Sequence, residues 1–464
     1  MAKAPFGTAL QRTAPQRIHV DATAGPVAIS AALGSALAGD VIELGPGEYV
    51  DWLSLKSNVT LSAYISMSRI CRALAPVVQS PLNTKLAFGL TQQRNLQIDV
   101  LRGIAVLMVL VTHTVLFRPP TGRLKWVIYG CGIGVELFFV LSGFLISGLL
   151  FSEYQRSGHI NFGRFAARRA MKIYPPLYLL ITLALASRLI HSRMENPWAA
   201  LTPFIHDVLF VQSYLPGTYG HFWSLAVEEH FYILLPLSLY FGIRRARAGT
   251  NPFRWIPVGF FALAATCVTA RIATSLFVHP WAHQTHNFPT HLCLDALMFG
   301  VLLSYLAHFR AQQLYEFIDR NYWKVAAGSL MLISPAFIAD TKNPLFMIAG
   351  FPCLYLGFGG ILLVMLRTKM PTQQSGLAAL STIGFIGKHS YSIYLWHVPL
   401  LIKLRDAEHL QAGYGLALYF VVTLVVGIGL SILIDIPVLG LRDRLWPRPG
   451  SAIATSRLAS QKVA

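Results

Sequence analysis

Charged residues are scarce in this sequence of 464 residues, of which Asp, Glu, Lys and Arg together make up 12%. Soluble globular domains carry about 25% charged residues, so the composition excludes an ordinary water-soluble enzyme. Cysteine is also scarce. The five cysteines stand singly without a CxxC pair, which argues against a zinc cluster or a redox pair. The first 16 residues lack the apolar run of a secretory signal peptide, so we expect membrane insertion to depend on internal segments.

Long hydrophobic runs are abundant from Ile98 onward, and hydrophobic residues make up 54% of the chain. A helix needs about 17–25 mostly apolar residues to cross a bilayer. Ten segments approach or exceed this length: approximately 98–117, 129–151, 174–191, 221–243, 255–278, 290–308, 322–339, 344–366, 383–402 and 413–439. We therefore expect an all-α integral membrane protein, a bundle of about ten transmembrane helices that spans a lipid bilayer.

The formal net charge of +18 fits either a surface that binds nucleic acid or a membrane protein with basic cytoplasmic loops. If the N-terminus is cytoplasmic, 20 Lys and Arg residues fall in inner loops and the C-terminal tail, against 8 in outer loops. This asymmetry predicts that both termini are cytoplasmic. The basic residues are dispersed between apolar segments, so we expect no nucleic-acid partner.

The first 95 residues have a different pattern, in which short β-like runs alternate with Gly, Asp and Pro. About 45 of them resemble the first coil of a right-handed parallel β-helix, as in pectate-lyase-like proteins. The matching positions are Gly39, Asp40, Ile42, Leu44, Pro46, Gly47, Tyr49, Asn58, Val59 and Thr60. We expect a small β-rich N-terminal fragment over 1–64, without its own activity, because stacked coils need about three repeats to bury a core. A linker (65–95), the membrane domain (96–445) and a flexible cytoplasmic tail (446–464) complete the predicted organisation.

Ionisable residues interrupt several predicted spans. Such groups are costly in hydrocarbon and are therefore usually functional. In the first span, ten residues separate Arg102 from His113, which places them roughly 16 Å apart along a helix. The spacing along the other spans predicts two layers of ionisable side chains. The layer at the depth of His113 contains Glu136, Glu228, Glu229, His230, Asp295 and His397. The layer at the depth of Arg102 contains Asp99, Arg168, Arg169, Lys172 and Asp435.

The two layers are suited to different chemistry. A histidine beside carboxylates is a natural general base, because the carboxylate holds the imidazole tautomer and stabilises the imidazolium. Arginine binds phosphate through two hydrogen bonds, and lysine binds it as a point charge. Together the layers predict a phosphate-bearing donor at the inner face and a hydroxyl acceptor that is activated deeper in the bundle.

Seven motifs follow one another in a familiar order: DVLRGIAVLMVLVTH, GVELFFVLSGFLI, FAARRAMKIYPPLY, FWSLAVEEHFYILLPL, HLCLDALMFGVLLSY, GKHSYSIYLWHVPL and DIPVLGLRDR. Together they resemble the membrane acyltransferase-3 family, the O-acetyltransferases that modify bacterial polysaccharides and related glycans. The resemblance covers roughly residues 94–445.

This resemblance implies a role for each matching residue. His113 is the implied catalytic base, aided by Glu228 or Glu136. The implied acyl-CoA-binding residues are Arg102, Arg168, Arg169 and Lys172. The implied supporting residues are Asp99, Trp223, Ser224, Glu229, Asp295 and His397.

Four positions depart from the family's pattern. Lys172 stands for the second Arg of an Arg-x-x-Arg motif, which keeps the charge but loses the bidentate fork. Cys293 stands where an Arg often precedes Asp295. His230 replaces a Gln, and Asp435 replaces the Glu of a Glu-x-Pro motif. These departures indicate a divergent member with a different acceptor.

The function implied by the resemblance is O-acyl transfer, most simply O-acetylation, at the bacterial inner membrane. Acetyl-CoA or another acyl-CoA is the expected co-substrate, with no bound cofactor and no metal. The expected acceptor is a hydroxyl of a cell-surface polysaccharide or of a lipid-linked sugar. The hydroxyl attacks the thioester directly, or the imidazole of His113 is first acylated; the sequence leaves both routes open.

Two other classes of function compete with this one. Ten spans with intramembrane charges also suit a transporter or flippase of a glycan or small molecule, although the two halves show no internal repeat. A structural or sensory membrane protein is the other alternative, and it leaves the charged spans unexplained. Consumption of acetyl-CoA distinguishes an enzyme from a transporter.

Overall fold

The structure is a computed structural model that describes residues 17–20, 41–44, 60–63, 95–116, 120–191, 197–340, 343–368, 374–406 and 414–447. The chain divides into two compact units, Met1–Ser80 and Pro81–Ala464. Most of the predicted linker and of the C-terminal tail lies outside the described residues.

Three short strands are described in the first unit: β1 (Arg17–Val20), β2 (Val41–Leu44) and β3 (Thr60–Ala63). They form a parallel sheet in the order β1-β2-β3. Val41 of β2 pairs with Arg17 of β1 on one side and with Thr60 of β3 on the other. The resemblance to a β-helix coil stays a prediction.

The described part of the second unit is helical. Its α-helices are α1 (Leu96–His113), α2 (Leu124–Gly130), α3 (Gly134–Ser157), α4 (Phe162–His191), α5 (Pro197–Val208), α6 (Trp223–Arg245), α7 (Ile256–Phe277), α8 (His283–His286), α9 (Leu294–Phe309), α10 (Ala311–Ile333), α11 (Phe351–Arg367), α12 (Gln374–Lys388), α13 (Ser390–Arg405), α14 (Tyr414–Leu430) and α15 (Ile436–Leu445). Short 3-10 turns connect some of them, including Gly220–Phe222 before α6 and Thr290–Leu292 before α9.

Six helical segments in the described residues are long and apolar enough to cross a membrane. They are Leu96–Leu116, Leu124–Ser157, Phe162–Ile190, Ile256–Phe277, Phe346–Arg367 and Tyr414–Leu445. The number of candidate spans is seven if α9 and α10, which are bent by 106° against each other, form one broken span. The multi-pass all-α architecture is thus present, whereas ten spans are not confirmed.

The predicted span 383–402 is divided in the structure. Helix α12 ends at Lys388 and α13 begins at Ser390. His389 between them has φ −102° and ψ 8°, outside the range of a regular helix. Its side chain is buried, and its ring forms a hydrogen bond of 2.9 Å with the hydroxyl of Ser431. Apolar composition alone does not report such a break, because apolar residues continue on both sides of it.

Glycines allow two helix pairs at the centre of this unit to approach closely. A Cβ on Gly143 of α3 would collide with the carbonyl oxygen of Leu297 of α9, and a Cβ on Gly300 with that of Val140. In the same way a Cβ on Gly387 of α12 would collide with the carbonyl oxygen of Asp99 of α1. Small residues at helix interfaces are typical of membrane bundles, where close packing replaces the hydrophobic driving force. These contacts fix α1 and α3, which both contribute to the site.

Candidate active site

A cavity of about 760 Å³ lies among α1, α3, α4, α6, α13 and α15. Arg102 of α1 and Arg169 and Lys172 of α4 line it, while Ser224 of α6 and Tyr394 of α13 are also part of its wall. Its volume is within the range of small-molecule sites, about 300–1,000 Å³. The walls combine apolar side chains with several charged groups, which suits a ligand with both an apolar and a charged part.

The basic side chains of the cavity come from helices that are distant in sequence: Arg102, Arg169, Lys172, Lys388 and Arg442. Arg169 and Lys172 are three residues apart on α4 and therefore share a helix face. The guanidinium carbon of Arg169 lies 4.2 Å from the centre of the Tyr232 ring, a cation–π contact. Lys172 lies within electrostatic range of Arg102, Arg169 and Glu228. This concentration of positive charge is suited to phosphate groups.

Arg168 has a different environment, because it points to another face of α4. It donates to the Asp443 carboxylate at 2.8 Å and to the Trp446 carbonyl. These contacts join α4 to the end of α15, and Arg168 does not line the cavity.

The adjacent carboxylates of α6 both line the cavity but have different partners. The hydroxyls of Ser142 and Tyr232 donate to the two oxygens of Glu228, at 2.8 and 2.6 Å. One oxygen of Glu229 accepts a hydrogen bond of 3.2 Å from Tyr174. Its other oxygen is buried and has no hydrogen-bond partner among the described residues. Glu228 is thus the more firmly oriented carboxylate.

Three histidine rings contact one another beyond the cavity. His113, the last residue of α1, lies edge-on to His397 of α13, with ring centres 4.6 Å apart. His397 in turn lies 4.7 Å from His221, in the 3-10 turn before α6. His221 was not among the predicted site residues, although it immediately precedes the FWSL motif. No periodicity connects it with two residues that are more than 100 positions away.

One hydrogen-bonded layer separates the cavity from these histidines. The hydroxyls of Ser224 and Tyr394 lie 2.6 Å apart, and Tyr394 also donates to the carbonyl of His221 at 2.8 Å. The ring of Tyr394 lies 5.4 Å from His397 and 5.5 Å from His221. A ligand in the cavity therefore reaches groups that contact the histidine cluster directly.

A separate buried cluster contains two of the predicted site residues. Asp295 accepts a hydrogen bond of 2.7 Å from Arg271 of α7, and both side chains are at most 2% exposed. Arg271 and Asp295 are also the charged groups that act on Glu136. Arg271 lies within the predicted span 255–278 and was not among the predicted site residues. In the structure it supplies the positive charge beside Asp295.

Trp223, the first residue of α6, packs between aromatic rings. Its ring is stacked on Phe288, with centres 4.8 Å apart and planes at 8°, and contacts Phe139 edge-on at 5.8 Å. This packing fixes the start of α6 and thereby the position of Ser224.

The structure thus distributes the predicted site residues over distinct environments. Those that line the cavity are Asp99, Arg102, Arg169, Lys172, Ser224, Glu228 and Glu229. His113 and His397 belong to the histidine cluster, Glu136 and Asp295 to the Arg271 cluster, and Arg168 and Trp223 to packing contacts. Within the described residues, no group of three or more His, Cys, Asp and Glu side chains has a geometry that could hold a metal ion.

The fold and the site together define a multi-pass membrane protein with a charged cavity beside buried histidines. The chain belongs to the acyltransferase family: the family described as an acyltransferase domain matches residues 95–436, most of the sequence.

The chain is also similar to two proteins named O-acetyltransferase OatA, from Staphylococcus aureus strains NCTC 8325 / PS 47 and COL. Each is 26% identical over 329 residues, which cover 67% of this chain and 51% of the relative. The chain therefore spans about half the length of these relatives. No solved structure matches it.

Proposed function

We propose that this protein is a membrane-bound O-acyltransferase, most simply an O-acetyltransferase. In this proposal an acyl group passes from acyl-CoA on the cytoplasmic side to a hydroxyl of a cell-surface or lipid-linked glycan. The observation that carries the proposal is a charged cavity that ends one hydrogen-bonded layer from His397, whose ring contacts His113. Membership of the acyltransferase family and similarity to the OatA proteins support the reaction type.

The basic side chains of the cavity are the proposed site for the phosphate groups of CoA. Arg102, Arg169 and Lys172 suit this role, because guanidinium and ammonium groups bind phosphate strongly where water is limited. This assignment requires the Arg102 end of α1 to face the cytoplasm. It agrees with the charge asymmetry of the loops, which favours cytoplasmic termini in the inner membrane.

The acyl thioester is then expected to lie near Ser224 and Tyr394, at the end of the cavity that adjoins the histidine cluster. Arg102 and His113 are separated by roughly 16 Å along α1, a distance that suits the long, thin pantetheine arm of CoA. Glu228 lines the cavity and is held by two hydroxyls, so we assign it to the donor side of the site. Glu136 is assigned to support of the bundle with Arg271 and Asp295.

His113 is the proposed general base. Its Nδ1 lies 2.8 Å from the Val109 carbonyl, which can only accept a hydrogen bond, so Nδ1 carries the proton and Nε2 has the free electron pair. Nε2 takes the proton of the acceptor hydroxyl while the hydroxyl oxygen attacks the thioester carbon. The carbon–sulfur bond then breaks, and the imidazolium returns its proton to the CoA thiolate. If the imidazole is acylated first, the same Nε2 is the nucleophile.

Acetyl transfer by isolated membranes tests the proposal. Membranes that contain the protein are given acetyl-CoA labelled in the acetyl group, and both free CoA and base-labile label in the cell-envelope glycans are measured. We expect wild type to consume acetyl-CoA, and His113→Ala to lower transfer by about 10²–10⁴-fold, the usual contribution of a general base. His159→Ala is the matched control, because His159 is exposed and its ring contacts the Ser157 carbonyl.

Two outcomes would overturn the proposal. Transfer at the wild-type rate by His113→Ala would remove His113 from the chemistry. If wild type consumed no acetyl-CoA in the presence of the envelope fraction, the transporter alternative would be favoured instead.

A further inference from the structure

Two of the clustered histidines have their single N–H groups fixed by the backbone of α13. Nδ1 of His397 lies 2.5 Å from the Tyr394 carbonyl, and Nε2 of His221 lies 3.2 Å from the Leu395 carbonyl. A carbonyl oxygen accepts hydrogen bonds and donates none, so each contacting nitrogen carries the proton. In a neutral imidazole the other nitrogen is then an acceptor. For His397 this is Nε2, and for His221 it is Nδ1.

These two acceptor nitrogens are buried, and neither has a hydrogen-bond partner among the described residues. The exposed fraction is 0% for His397 and 4% for His221. The ionisable groups that act on them are other histidines of the cluster, not carboxylates. Doubly protonated rings here would be buried charges without a counter-ion, which is costly. Neutral rings with unsatisfied acceptors are the better description.

An unsatisfied buried acceptor is costly. Here two of them belong to rings that contact each other, and one of these rings, that of His397, also contacts His113. A ligand that brings hydrogen-bond donors would satisfy both acceptor nitrogens. The acyl end of a thioester has no N–H or O–H to offer, whereas a sugar offers one donor with every hydroxyl. A sugar acceptor therefore matches two neighbouring acceptor nitrogens better than the acyl end of the donor does.

We propose that His221 and His397 bind the acceptor by accepting hydrogen bonds from groups next to the hydroxyl that His113 deprotonates. The inference rests on the proposed function and narrows its substrate class. The acceptor presents at least two further donors, hydroxyl or amide N–H, close to the reacting hydroxyl. A sugar ring has this pattern, whereas a simple alcohol does not.

Matched pairs of amide substitutions separate this role from a structural one. Asparagine places its amide near the position of Nδ1, and glutamine places its amide near that of Nε2. His221→Asn therefore keeps the acceptor and loses the backbone contact, while His221→Gln does the reverse. For His397 the order is inverted: Gln keeps the acceptor, and Asn keeps the backbone contact.

Each purified variant is given saturating acetyl-CoA and increasing amounts of the cell-envelope fraction from a host that lacks the protein. We expect the half-saturating amount of envelope to rise about 5- to 100-fold for His221→Gln and His397→Asn, the cost of a lost buried acceptor. Within each pair, His221→Asn and His397→Gln should raise it much less, because they keep the acceptor atom. The half-saturating concentration of acetyl-CoA should be the same in all four variants.

The reversed pattern, in which the variants that keep the backbone contacts behave like wild type, would show that the histidines are structural. Equal effects within each pair of folded variants, whether full activity or full loss, would also overturn the proposal. Failure of wild type to transfer acetyl groups would refute the proposed function instead, so the two failures are distinguishable.

A measurement on the unsubstituted protein applies if the variants do not fold. Nitrogen NMR of the protein labelled at histidine ring nitrogens distinguishes protonated from unprotonated nitrogen. We expect at least two unprotonated signals to move when solubilised envelope glycan is added, because their nitrogens acquire a donor. Signals that do not move at saturating glycan would contradict the proposal.

Discussion

Lys172 occupies a crowded position in the cavity, within electrostatic range of three arginines and of Glu228. An ammonium that is surrounded by other cations gains most when an anionic ligand arrives. If phosphate is that ligand, the interaction contributes about 1.5–3 kcal/mol, the value of a charged hydrogen bond.

We predict that Lys172→Met raises the KM for acetyl-CoA by about 10- to 100-fold and changes kcat little, because the phosphate contact is equal in ground and transition states. Steady-state kinetics of the purified enzyme measure both constants. Lys324→Met is the control, since Lys324 is exposed on α10. A fall in kcat without a change in KM would place Lys172 at the reacting atoms instead.

Asp207 lies at the end of α5, outside the candidate spans. Its carboxylate is buried, and among the described residues one of its two oxygens has a hydrogen-bond partner. That oxygen accepts the backbone N–H of Thr218 at 2.9 Å. Burial raises the pKa of Asp207 from 3.8 to about 6. A raised pKa means that the folded state favours the protonated form. The stabilisation that comes from protonation of Asp207 in the folded state is complete below the ordinary pKa of the group. It is lost as the pH rises through about 6.

We therefore predict that Asp207→Asn stabilises the protein above pH 6, by up to roughly 3 kcal/mol, because the amide is never charged and still accepts from Thr218. Thermal unfolding in detergent between pH 4 and 8 should show a flatter dependence than wild type, with the curves converging at low pH. Asp406→Asn, at an exposed position, should leave the dependence unchanged. Parallel curves for Asp207→Asn and wild type would contradict the prediction.

At the scale of elements, the pair α3 and α9 depends on backbone approach at Gly143 and Gly300. We predict that Gly143→Leu destabilises the fold by at least about 1–3 kcal/mol, the usual cost of overpacking, because the obstruction is backbone and cannot rotate away. The melting temperature in detergent and the yield in membranes report this loss.

Gly429→Leu on α14 is the matched control, because no atom lies within 4 Å of a Cβ at that position. It should keep the wild-type melting temperature. An unchanged melting temperature for Gly143→Leu would show that α3 and α9 separate without cost.

For the whole molecule, the division after Ser80 separates the strands from all residues that line the cavity. We predict that a chain without residues 2–80 still enters the membrane and transfers acetyl groups at the rate of the full chain. A chain that ends at Arg367 is the contrast, because it lacks α12–α15, which contribute His397 and part of the cavity wall. Label transfer per unit of membrane protein measures both, and loss of transfer in the first chain would assign a function to the β-rich unit.

The amino-acid sequence by itself determined what depends on local order. Apolar run lengths established a multi-pass helical protein, because the bilayer requires about 20 apolar residues for each span. Helix geometry placed Arg102 and His113 about three turns apart, and the spacing of Arg169 and Lys172 placed them on one face. The motif order pointed to the family that the comparisons show. The conclusions on spans and helix faces need only the local order of residues, whereas the family follows from the resemblance of the motifs.

The tertiary structure decided which side chains meet. His221 joins His113 and His397 from three separate segments, Arg271 rather than a histidine lies at Glu136, and Arg168 turns away from Arg169 to Asp443. It also decided that 383–402 is two helices. Depth along a helix follows from residue count, but direction in the membrane plane depends on how each helix packs against its neighbours. Here glycine contacts such as Gly143 against Leu297 set that packing.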